Sequence, residues 1–462
     1  MQYDILVLGS GPGGYVAAIR AAQLGFKVAV IEKAEIGGVC LNWGCIPTKS
    51  LLKSSQVLNY LKHSETYGIA VDGEIKPDFD KIINRSREVA AGMSKGVNYL
   101  FKKNNIEVIS GQGKLVDKNT INVKTADDEI NVTAEKIIIA TGARSKQLPN
   151  IKQDGKKIIG YREALTLAKL PESMIIVGSG AIGSEFAQVY NSLGTKVTLI
   201  EFLPTLVPNE DEEVAKNLAR AFKKAKIKVM TNSAVEKIDI VDDKCVATVK
   251  TKKGEETHEA EIVLSAVGIT PNIENIGLEE LGIEIENGKI KVNDFYETNI
   301  KGVYAIGDVV HGPALAHVAS AEGIACVEKI AEFSENKIDY GNIPSCIYTS
   351  PEVASVGISE QKAIERGYEI RVGKFPFTAS GKASAAGARD GFVKLIFDKK
   401  NDTLLGAHLI GDNVTEMIAG LVSFRKSGAK AHDLIKTVHP HPTMSEAIME
   451  AAAAAYDEVI HL

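Results

Sequence analysis

The sequence is poor in cysteine and has no long apolar run. Five cysteines among 462 residues are too few for a disulfide scaffold. No stretch approaches the ~20 apolar residues that a membrane span requires. The net charge of −5 comes without a long basic run, which favours neither a nucleic acid nor an anionic membrane as a partner. We therefore expect a globular protein that is not inserted in a membrane.

The sequence begins with MQYDILVLGSG, in which a predicted buried strand starts almost at once. That leaves no room for a signal or transit peptide, so we expect a cytoplasmic protein. A chain of 462 residues is also too long for one ordinary core, and two to four domains are expected.

The first informative pattern lies in residues 3–33. An apolar run is followed by Gly9, Gly11 and Gly14 in G-x-G-x-x-G spacing, then by an alanine-rich predicted helix and a second apolar run that ends at Glu32. The glycines permit a tight turn, the approach of a pyrophosphate and close packing of helix on strand, while the acid can accept hydrogen bonds from a ribose. The pattern predicts a dinucleotide site rather than a chance glycine turn.

The pattern occurs a second time, with Gly178, Gly180, Gly183 and Glu201 in the same order. The first glycine and the acid are 23 residues apart in both copies. One chain therefore carries two dinucleotide folds, and two bound dinucleotides imply electron transfer between them. The second site is expected to prefer NAD to NADP, because Glu201 would repel a 2′-phosphate and no arginine lies between Glu201 and Arg220 to neutralise one.

Two further segments are predicted to be buried strands that end in glycine. They are IIIATGA, residues 137–143, and VYAIGDV, residues 303–309. Asp308 closes the second segment and is expected to bind the first nucleotide, although it could instead cap the following helix. Because Asp308 lies beyond the second repeat, the first domain must be discontinuous, with the second domain inserted in it.

Cys40 and Cys45 stand close together in GGVCLNWGCIPTK. On a regular helix their Cα atoms would be ~8–9 Å apart, whereas a disulfide requires less than ~7 Å. We expect a distorted turn, for which Gly44 and Pro47 are suitable. Such a pair favours redox catalysis over two buried thiols or half a metal site, and no metal site is predicted. The other cysteines are expected to be small buried apolar residues: Cys245, Cys326 and Cys346.

The segment GGVCLNWGCIPTK resembles the active-site signature of the pyridine nucleotide–disulfide oxidoreductases, in the form C-L-N-x-G-C-I-P-S-K. Thr48 stands where serine is usual, and the similarity extends from Tyr3 to the C-terminal helix. The resemblance implies that Cys40 is the interchange thiol that meets the substrate and that Cys45 faces the flavin.

The resemblance also implies FAD in the first site and NAD in the second. Residues expected at the FAD are Gly9, Gly11, Gly14, Glu32, Lys49, Gly113, Gly142, Asp308 and Ala316. Residues expected at the NAD are Gly178, Gly180, Gly183, Glu185, Glu201 and Gly268, with Glu185 as the partner of Lys49.

Near the C-terminus, His441 matches the family's H-P-T-x-S-E pattern and Glu446 its orienting acid. Exchange between a dithiol and a disulfide needs a base, and histidine titrates in the right range. Thr443-x-x-Glu446 is also a capping box, and both roles are compatible. His439 is expected to be structural.

Two positions depart from the family pattern. Ile269 and Thr270 stand where an arginine is common, and Arg144-Ser145 stands where a proline is common. Both positions are expected in loops away from the thiols, where they bear on nucleotide contacts rather than on the reaction.

The predicted fold is α/β, with two Rossmann-like dinucleotide-binding domains, for FAD and an inserted one for NAD, and a C-terminal α+β dimerisation domain with a mixed sheet. The predicted bounds are 1–146 for the FAD domain, 147–271 for the NAD domain, 272–341 for the region that completes the FAD domain, and 342–462 for the interface domain.

The resemblance implies a homodimer that oxidises dihydrolipoamide with NAD⁺. The lipoyl groups would belong to the acyltransferase of a 2-oxoacid dehydrogenase complex or to the lipoyl protein of glycine cleavage. The alternatives are another NAD(P)H-dependent disulfide reductase of this family, or a mainly docking subunit of a multienzyme complex. The presence of Cys40, Cys45, His441 and Glu446 argues against the last alternative.

Overall fold

The computed structural model describes residues 2–462, which form two compact units. The first unit comprises residues 2–51, together with Asp80–Lys146 and Gly268–Ile338. The second comprises Leu52–Phe79, Gln147–Val267 and Asp339–Leu462. The bounds of the four domains stay predictions.

Residues 2–267 contain both strands and helices. Residues 2–146 form β1 Gln2–Leu8, α1 Pro12–Gln23, β2 Val28–Glu32, α2 Gly38–Trp43, α3 Cys45–Lys62, a 3₁₀ helix Ser64–Tyr67, α4 Phe79–Lys103, β3 Glu107–Ser110, β4 Gln112–Asp117, β5 Thr120–Lys124, β6 Glu129–Ile139 and β7 Ala143–Ser145. Residues 147–267 form β8 Ile158–Ile159, α5 Tyr161–Ala164, β9 Ser173–Val177, α6 Ala181–Leu193, β10 Lys196–Ile200, α7 Glu212–Lys224, β11 Lys228–Met230, β12 Ala234–Val241, β13 Lys244–Thr251, β14 Gly254–Ala260 and β15 Ile262–Ser265.

Residues 268–462 continue with short strands and then the C-terminal sheet and helices. Residues 268–338 form β16 Ile269–Pro271, β17 Ile285–Glu286, β18 Lys289–Ile290, β19 Val303–Ala305, a 3₁₀ helix Gly307–Val309 and α8 Ala316–Ile330. Residues 339–462 form a 3₁₀ helix Tyr340–Asn342, β20 Pro344–Ile347, β21 Glu352–Gly357, α9 Glu360–Glu365, β22 Ile370–Pro376, a 3₁₀ helix Phe377–Ala379, α10 Gly381–Ala386, β23 Phe392–Asp398, β24 Leu404–Gly411, α11 Val414–Ser427, α12 Ala431–Lys436 and α13 Glu446–Ala454. Among residues 2–462, no helix combines the length and the apolar character needed to cross a membrane.

The first unit is built on a seven-stranded sheet in the order β3-β2-β1-β6-β5-β4, with β19 paired to β6. The strands β3, β2, β1, β6 and β19 are parallel, and most of their apolar residues are buried on both faces, as in a doubly covered parallel sheet; Ile130, near the start of β6, is exposed. Since β19 follows the second repeat in the chain but pairs with the first sheet, the predicted insertion is confirmed.

The second repeat forms a separate five-stranded parallel sheet in the second unit, in the order β11-β10-β9-β15-β8. A three-stranded antiparallel sheet, β12-β13-β14, follows α7 and β11 in the chain. Both predicted strand–glycine–helix–strand repeats are therefore present, as β1-α1-β2 and β9-α6-β10.

The C-terminal part has a five-stranded sheet in the order β20-β21-β24-β23-β22. Every pair in it is antiparallel, so the expectation of a mixed sheet is wrong. The segments YTSPEVASVG, residues 348–357, and LLGAHLIG, residues 404–411, contain β21 and β24, which are direct neighbours. Helices α11, α12 and α13 pack their buried residues into one core with this sheet, as the α+β prediction required.

A row of polar side chains crosses this sheet from edge to edge. Cross-strand partners share a face, and the register places five of them side by side: Ser345, Ser355, His408, Lys394 and Lys374. The segment that leads into α7 lies over this row, because Glu210 Oε1 lies 3.1 Å from Ser345 Oγ. The parallel-sheet part of the second unit thus reaches the C-terminal sheet through polar contacts.

Lys394 is the centre of that row, with its side chain 2% exposed. Its Nζ lies 3.0 Å from Asp211 Oδ1, 2.9 Å from Glu213 Oε2 and 2.6 Å from Glu360 Oε2. Burial alone would favour the neutral amine, but hydrogen bonds to these carboxylates raise the pKa of Lys394 above its ordinary value. The lysine is therefore charged and neutralised inside the protein.

We expect Lys394→Ala to lower the free energy of unfolding by about 3–5 kcal/mol, because it leaves the buried Asp211 carboxylate without its cation. The measurement is the thermal midpoint by circular dichroism. Lys399→Ala is the matched control, since Lys399 is half-exposed and its Nζ lies 3.9 Å from Glu369; there we expect less than about 1 kcal/mol. Equal losses in the two variants would contradict the importance of burial.

Candidate active site

The first glycine loop joins β1 to α1 with no room for side chains at two of its three glycines. Gly9 has φ of 107°, and a Cβ on it would lie 2.3 Å from the carbonyl oxygen of Ala140. A Cβ on Gly14 would lie 2.0 Å from the carbonyl oxygen of Gly9. At Gly11, by contrast, an added Cβ meets nothing within 4 Å. The first and third glycines are therefore required by packing, and the second faces open space at the start of α1.

The second loop repeats this geometry between β9 and α6. Gly178 has φ of 97°, and a Cβ on it would lie 2.5 Å from the carbonyl oxygen of Ala266. A Cβ on Gly183 would lie 1.9 Å from the carbonyl oxygen of Gly178, whereas one on Gly180 meets nothing within 4 Å. The open space beside the second glycine, at a helix N-terminus, suits the pyrophosphate of a dinucleotide at both loops.

Each loop is also joined to its acid by a serine, which the sequence reasoning missed. Glu32 Oε2 accepts hydrogen bonds from the Ser10 amide at 2.9 Å and hydroxyl at 2.6 Å. Glu201 Oε2 accepts them from the Ser179 amide at 2.8 Å and hydroxyl at 2.7 Å. The tripeptide Gly-Ser-Gly occurs in both repeats and could have revealed this contact. It fixes each carboxylate beside its glycine loop.

Asp308 lies in the 3₁₀ helix that follows β19 and does not cap α8. The N-terminal cap of α8 is Leu315, so the capping alternative is wrong. Burial raises the pKa of the Asp308 carboxyl, and the charge of Lys289 works in the opposite direction. Within residues 2–462, no hydrogen bond to its carboxylate is found. A half-buried acid with spare acceptor capacity fits a ligand hydroxyl.

The other predicted nucleotide residues have distinct surroundings. Gly142 has φ of 64° and accepts a hydrogen bond from the Asn272 amide at 2.8 Å. Gly268 has φ of 114° and accepts one from the Lys146 amide at 3.0 Å. Gly113 lies in β4, where a Cβ would be 2.6 Å from Leu8 Cδ1, which gives it a packing role of its own. Ala316 is the first residue of α8.

The two cysteines occupy a broken helix. Cys40 lies in α2, Gly44 ends that helix with φ −146° and ψ −114°, and Cys45 begins α3. A Cβ on Gly44 would lie 3.1 Å from the carbonyl oxygen of Val39. The predicted distorted turn is thus confirmed at Gly44, while Pro47 lies inside the first turn of α3, where a missing N–H is tolerated.

The two thiols share a side-chain hydrogen bond, which is the largest cause of a raised pKa at Cys40; burial and the charge of Cys45 add to it. Lys49, one turn into α3, acts in the opposite direction and favours the Cys40 thiolate. Burial raises the pKa of Tyr15, and the Cys40 charge adds to that shift, so the phenol is near the pair. Sequence reasoning missed Tyr15.

The thiol-bearing segment starts directly on the first glycine loop. A Cβ on Gly38 would lie 2.7 Å from the Cα of Gly11. The amide of Gly37 donates a hydrogen bond to Ser10 Oγ at 3.1 Å. The predicted cysteine pair and the predicted first nucleotide site are therefore one continuous piece of structure in the first unit.

The remaining cysteines are only partly as expected. Cys245 and Cys326 are fully buried, and burial raises the pKa of both thiols. Cys346, in β20, is half-buried, so the expectation of a buried residue is wrong there. Cys346 lies in an edge strand and packs against the C-terminal core while only partly buried.

His441 and Glu446 lie in the second unit and contact each other. His441 Nδ1 lies 2.8 Å from Glu446 Oε1, and the Thr443 amide donates to Glu446 Oε2 at 2.8 Å. Burial works to raise the pKa of the Glu446 carboxyl, but the hydrogen bonds from Thr443 and His441 hold it below its ordinary value. Glu446 is the first residue of α13 and Ser445 is its N-cap, so the full capping box is absent.

Two other predicted residues complete the description of the second unit. His439 is exposed, and its Nδ1 lies 2.9 Å from the carbonyl oxygen of Thr437, in line with a structural role. Glu185 is buried in α6 and accepts a hydrogen bond from the Tyr348 amide at 3.0 Å. The second glycine loop, Glu185 and His441 thus belong to one unit, and the thiols to the other.

Comparison with known families covers most of the chain. Residues 3–323 match the family model described as pyridine nucleotide-disulphide oxidoreductase. Residues 343–452 match the dimerisation domain of the same family, so the expectation of a dimerisation domain at the C-terminus is confirmed.

Several curated proteins resemble the whole chain. A dihydrolipoyl dehydrogenase of Zymomonas mobilis is 47% identical, with 100% of this chain and 99% of the relative covered. Proteins of the same name from Rhizobium etli and Bacillus subtilis are 46% and 42% identical, again over 100% of this chain and 99% of each relative.

Two solved structures show the same fold. The crystal structure of LpdA from Mycobacterium tuberculosis has a TM-score of 0.91 at 27% identity and covers 97% of this chain and 98% of its own. The HOCl-induced flavoprotein disulfide reductase RclA from Escherichia coli, in a Cu(II) complex, has a TM-score of 0.87 at 27% identity, over 98% of this chain and 99% of its own.

We expect Gly180→Val to leave the thermal midpoint unchanged, because an added Cβ meets nothing within 4 Å, while its methyl groups fill the space where a pyrophosphate would approach. Binding of NAD⁺ should weaken by about tenfold or more, a loss of about 1.4 kcal/mol. Gly11→Val is the counterpart in the other loop and should lower retention of the first cofactor instead. Calorimetric titration with NAD⁺ measures the effect, and unaltered affinity would contradict the placement.

Proposed function

The chain belongs to the pyridine nucleotide-disulphide oxidoreductase family, and we propose that it oxidises dihydrolipoamide with NAD⁺ as acceptor. The overall reaction is dihydrolipoamide + NAD⁺ → lipoamide + NADH + H⁺. The observation that carries the proposal is the hydrogen-bonded cysteine pair on a segment that starts at the first glycine loop. The relatives named dihydrolipoyl dehydrogenase, which this chain matches over 99% of their length, support dihydrolipoamide as the substrate.

FAD in the first site and NAD in the second fit the residues present. The open spaces at Gly11 and Gly180 suit the two pyrophosphates, and the fixed carboxylates of Glu32 and Glu201 suit the two riboses. When bound, FAD and NAD supply a path for an electron pair from the reduced thiols to the nicotinamide. The Asp308 carboxylate would accept a hydrogen bond from a hydroxyl group of the FAD.

The cysteines perform the thiol–disulfide exchange. In the oxidised enzyme, a substrate thiolate attacks Cys40 Sγ, the bond between Cys40 and Cys45 breaks, and a mixed disulfide forms. The second substrate thiolate then attacks the substrate sulfur in that mixed disulfide and releases Cys40. Lipoamide leaves with its ring disulfide closed, and the protein pair has gained two electrons. Lys49 stabilises the Cys40 thiolate that is released.

His441 is the base that takes the proton of the second substrate thiol. Its Nδ1 side is held by Glu446, which leaves Nε2 for the substrate. The depressed pKa of Glu446 keeps its carboxylate charged, so that it stabilises the protonated imidazole after the transfer. Thr443 holds the second oxygen of that carboxylate and fixes the orientation.

The proposed assembly is a homodimer built through the dimerisation domain, in which His441 serves the thiols of the partner subunit. The lipoyl group would be carried by an acyltransferase of a 2-oxoacid dehydrogenase complex or by the lipoyl protein of glycine cleavage. A cytoplasmic location stays a prediction. A different disulfide substrate is the second candidate in the same family, since RclA is named a flavoprotein disulfide reductase.

The test of the proposal is a steady-state assay with dihydrolipoamide and NAD⁺, compared with NADPH-dependent reduction of glutathione disulfide and thioredoxin. We expect turnover with the first pair, and Glu201 should make NADP a poor cofactor through charge repulsion.

Cys45→Ser should keep bound flavin but lose more than nine tenths of the activity, which corresponds to an increase of more than about 1.4 kcal/mol in the activation barrier. Turnover of Cys45→Ser near the normal rate would contradict the assigned pair.

A second experiment tests whether the site is shared between subunits. Cys45→Ser and His441→Gln subunits should each be inactive as homodimers, whereas a mixed dimer should regain turnover because one of its two sites is intact. The subunits must be mixed by co-expression with two affinity tags, since a large dimer interface exchanges slowly. Purified mixed dimers without activity would mean that the base acts within its own chain or is not His441.

A further inference from the structure

Helix α4 holds the thiol-bearing turn from a distant part of the chain. Arg87 in α4 donates a hydrogen bond from Nη2 to the carbonyl oxygen of Asn42, near the end of α2. Its guanidinium carbon also lies 4.5 Å from the centre of the Trp43 indole ring. Asn42 and Trp43 are two of the four residues between the redox cysteines, so Arg87 contacts the break in the helix itself.

Helix α4 also contacts the loop before α2, at the beginning of the thiol-bearing segment. Ser94 Oγ lies 2.6 Å from the carbonyl oxygen of Ile36 and 2.8 Å from Asn42 Oδ1. The buried Asn42 amide donates to the carbonyl oxygens of Ile36 and Gly38, both at 3.0 Å. The loop before α2 and the end of α2 are thus joined through one asparagine, which α4 fixes at Ser94.

The contact with Arg87 gives a carbonyl group at the end of α2 a hydrogen-bond partner that the helix itself does not provide. A helix of six residues is too short to be stable alone, and its last carbonyl groups have no partners within it. A cation at that end satisfies the Asn42 carbonyl and complements the helix dipole. Burial lowers the pKa of Arg87, with the charge of Glu35 as the opposing influence, and Nε is buried without an acceptor among residues 2–462. The guanidinium is therefore held at this carbonyl despite an unfavourable environment.

We propose that Arg87 is a positioning residue for the Cys40–Cys45 pair, which sets how readily the two sulfurs join. It touches neither sulfur and acts by holding the backbone between them. The inference rests on the proposed function only in taking the pair to be redox-active. Without the contact, the end of α2 is free to move, the effective concentration of one thiol at the other falls, and the dithiol is favoured over the disulfide.

The experiment measures the thiol–disulfide equilibrium of the holoenzyme in mixtures of oxidised and reduced dithiothreitol. Protein dithiol and the cyclic disulfide exchange to give protein disulfide and the reduced reagent, with two electrons and two protons transferred. The fraction reduced is read by mass after alkylation with a maleimide, a readout that does not depend on any substrate. Arg87→Met should shift the equilibrium about tenfold toward the dithiol, equivalent to about 30 mV.

Arg85→Met is the matched control, because Arg85 lies on the same helix but contacts α3 beyond the pair, with Nη1 2.7 Å from Ser50 Oγ. It should shift the equilibrium less than about twofold. Arg87→Lys should recover part of the shift, since a lysine can reach the carbonyl but does not stack as a planar group. Ser94→Ala, which removes the hydrogen bonds of α4 to Ile36 and Asn42, provides a second variant if Arg87→Met does not fold.

The outcomes separate this inference from the proposed function. A shift in Arg87→Met together with no dihydrolipoamide turnover in the parent enzyme would retain the positioning role and overturn the substrate. An Arg87→Met equilibrium equal to that of Arg85→Met, at equal thermal midpoints, would overturn the positioning role. If only Ser94→Ala folds, an unshifted equilibrium in that variant would overturn it equally.

Discussion

The first turn of α1 lies so close to the end of β1 that no side chain fits between them. The carbonyl oxygen of Gly9 occupies the place where a Cβ on Gly14 would be, and the same holds for Gly178 and Gly183 in the second repeat. This approach brings the free amides at the helix N-terminus to the edge of the sheet and leaves the middle glycine facing open space. The serine between the first two glycines can then reach the acid at the end of the next strand.

From the first loop, the same constraint extends to the thiols. Gly38 lies against the backbone of Gly11, and the Ser10 hydroxyl that donates to Glu32 also accepts the amide of Gly37. A single side chain thus joins the acid, the loop and the entry to α2. The redox turn is placed with respect to the cofactor site by backbone contact over a few residues, and α4 then fixes its far end at Asn42.

The parts of this arrangement that follow from local spacing could be predicted from the sequence. A few neighbouring residues determine the glycine loops, their acids and the irregular turn at Gly44. The repeat in the sequence indicates the return of β19 to the first sheet. The contact of Arg87 with Asn42 could not be predicted, since it joins residues 45 apart and depends on how α4 crosses the turn. Likewise, a lysine in an apolar strand carries no local signal that acids from other elements will neutralise it, and only the register places Lys394 near them.

The two departures from the family pattern prove to be one feature of the structure. They do not lie in the expected loops but face each other in the short ladder of β7 and β16, where Arg144 is the partner of Thr270 and Ser145 the partner of Ile269. The arginine common after Gly268 is missing, but an arginine stands directly across the ladder, and its guanidinium lies 3.0 and 2.8 Å from the oxygens of Glu274. A proline at this site would remove a backbone donor from the ladder. The positive charge of Arg144 therefore lies on β7, and because Glu274 binds it, the charge is neutralised within the first unit rather than left for a phosphate.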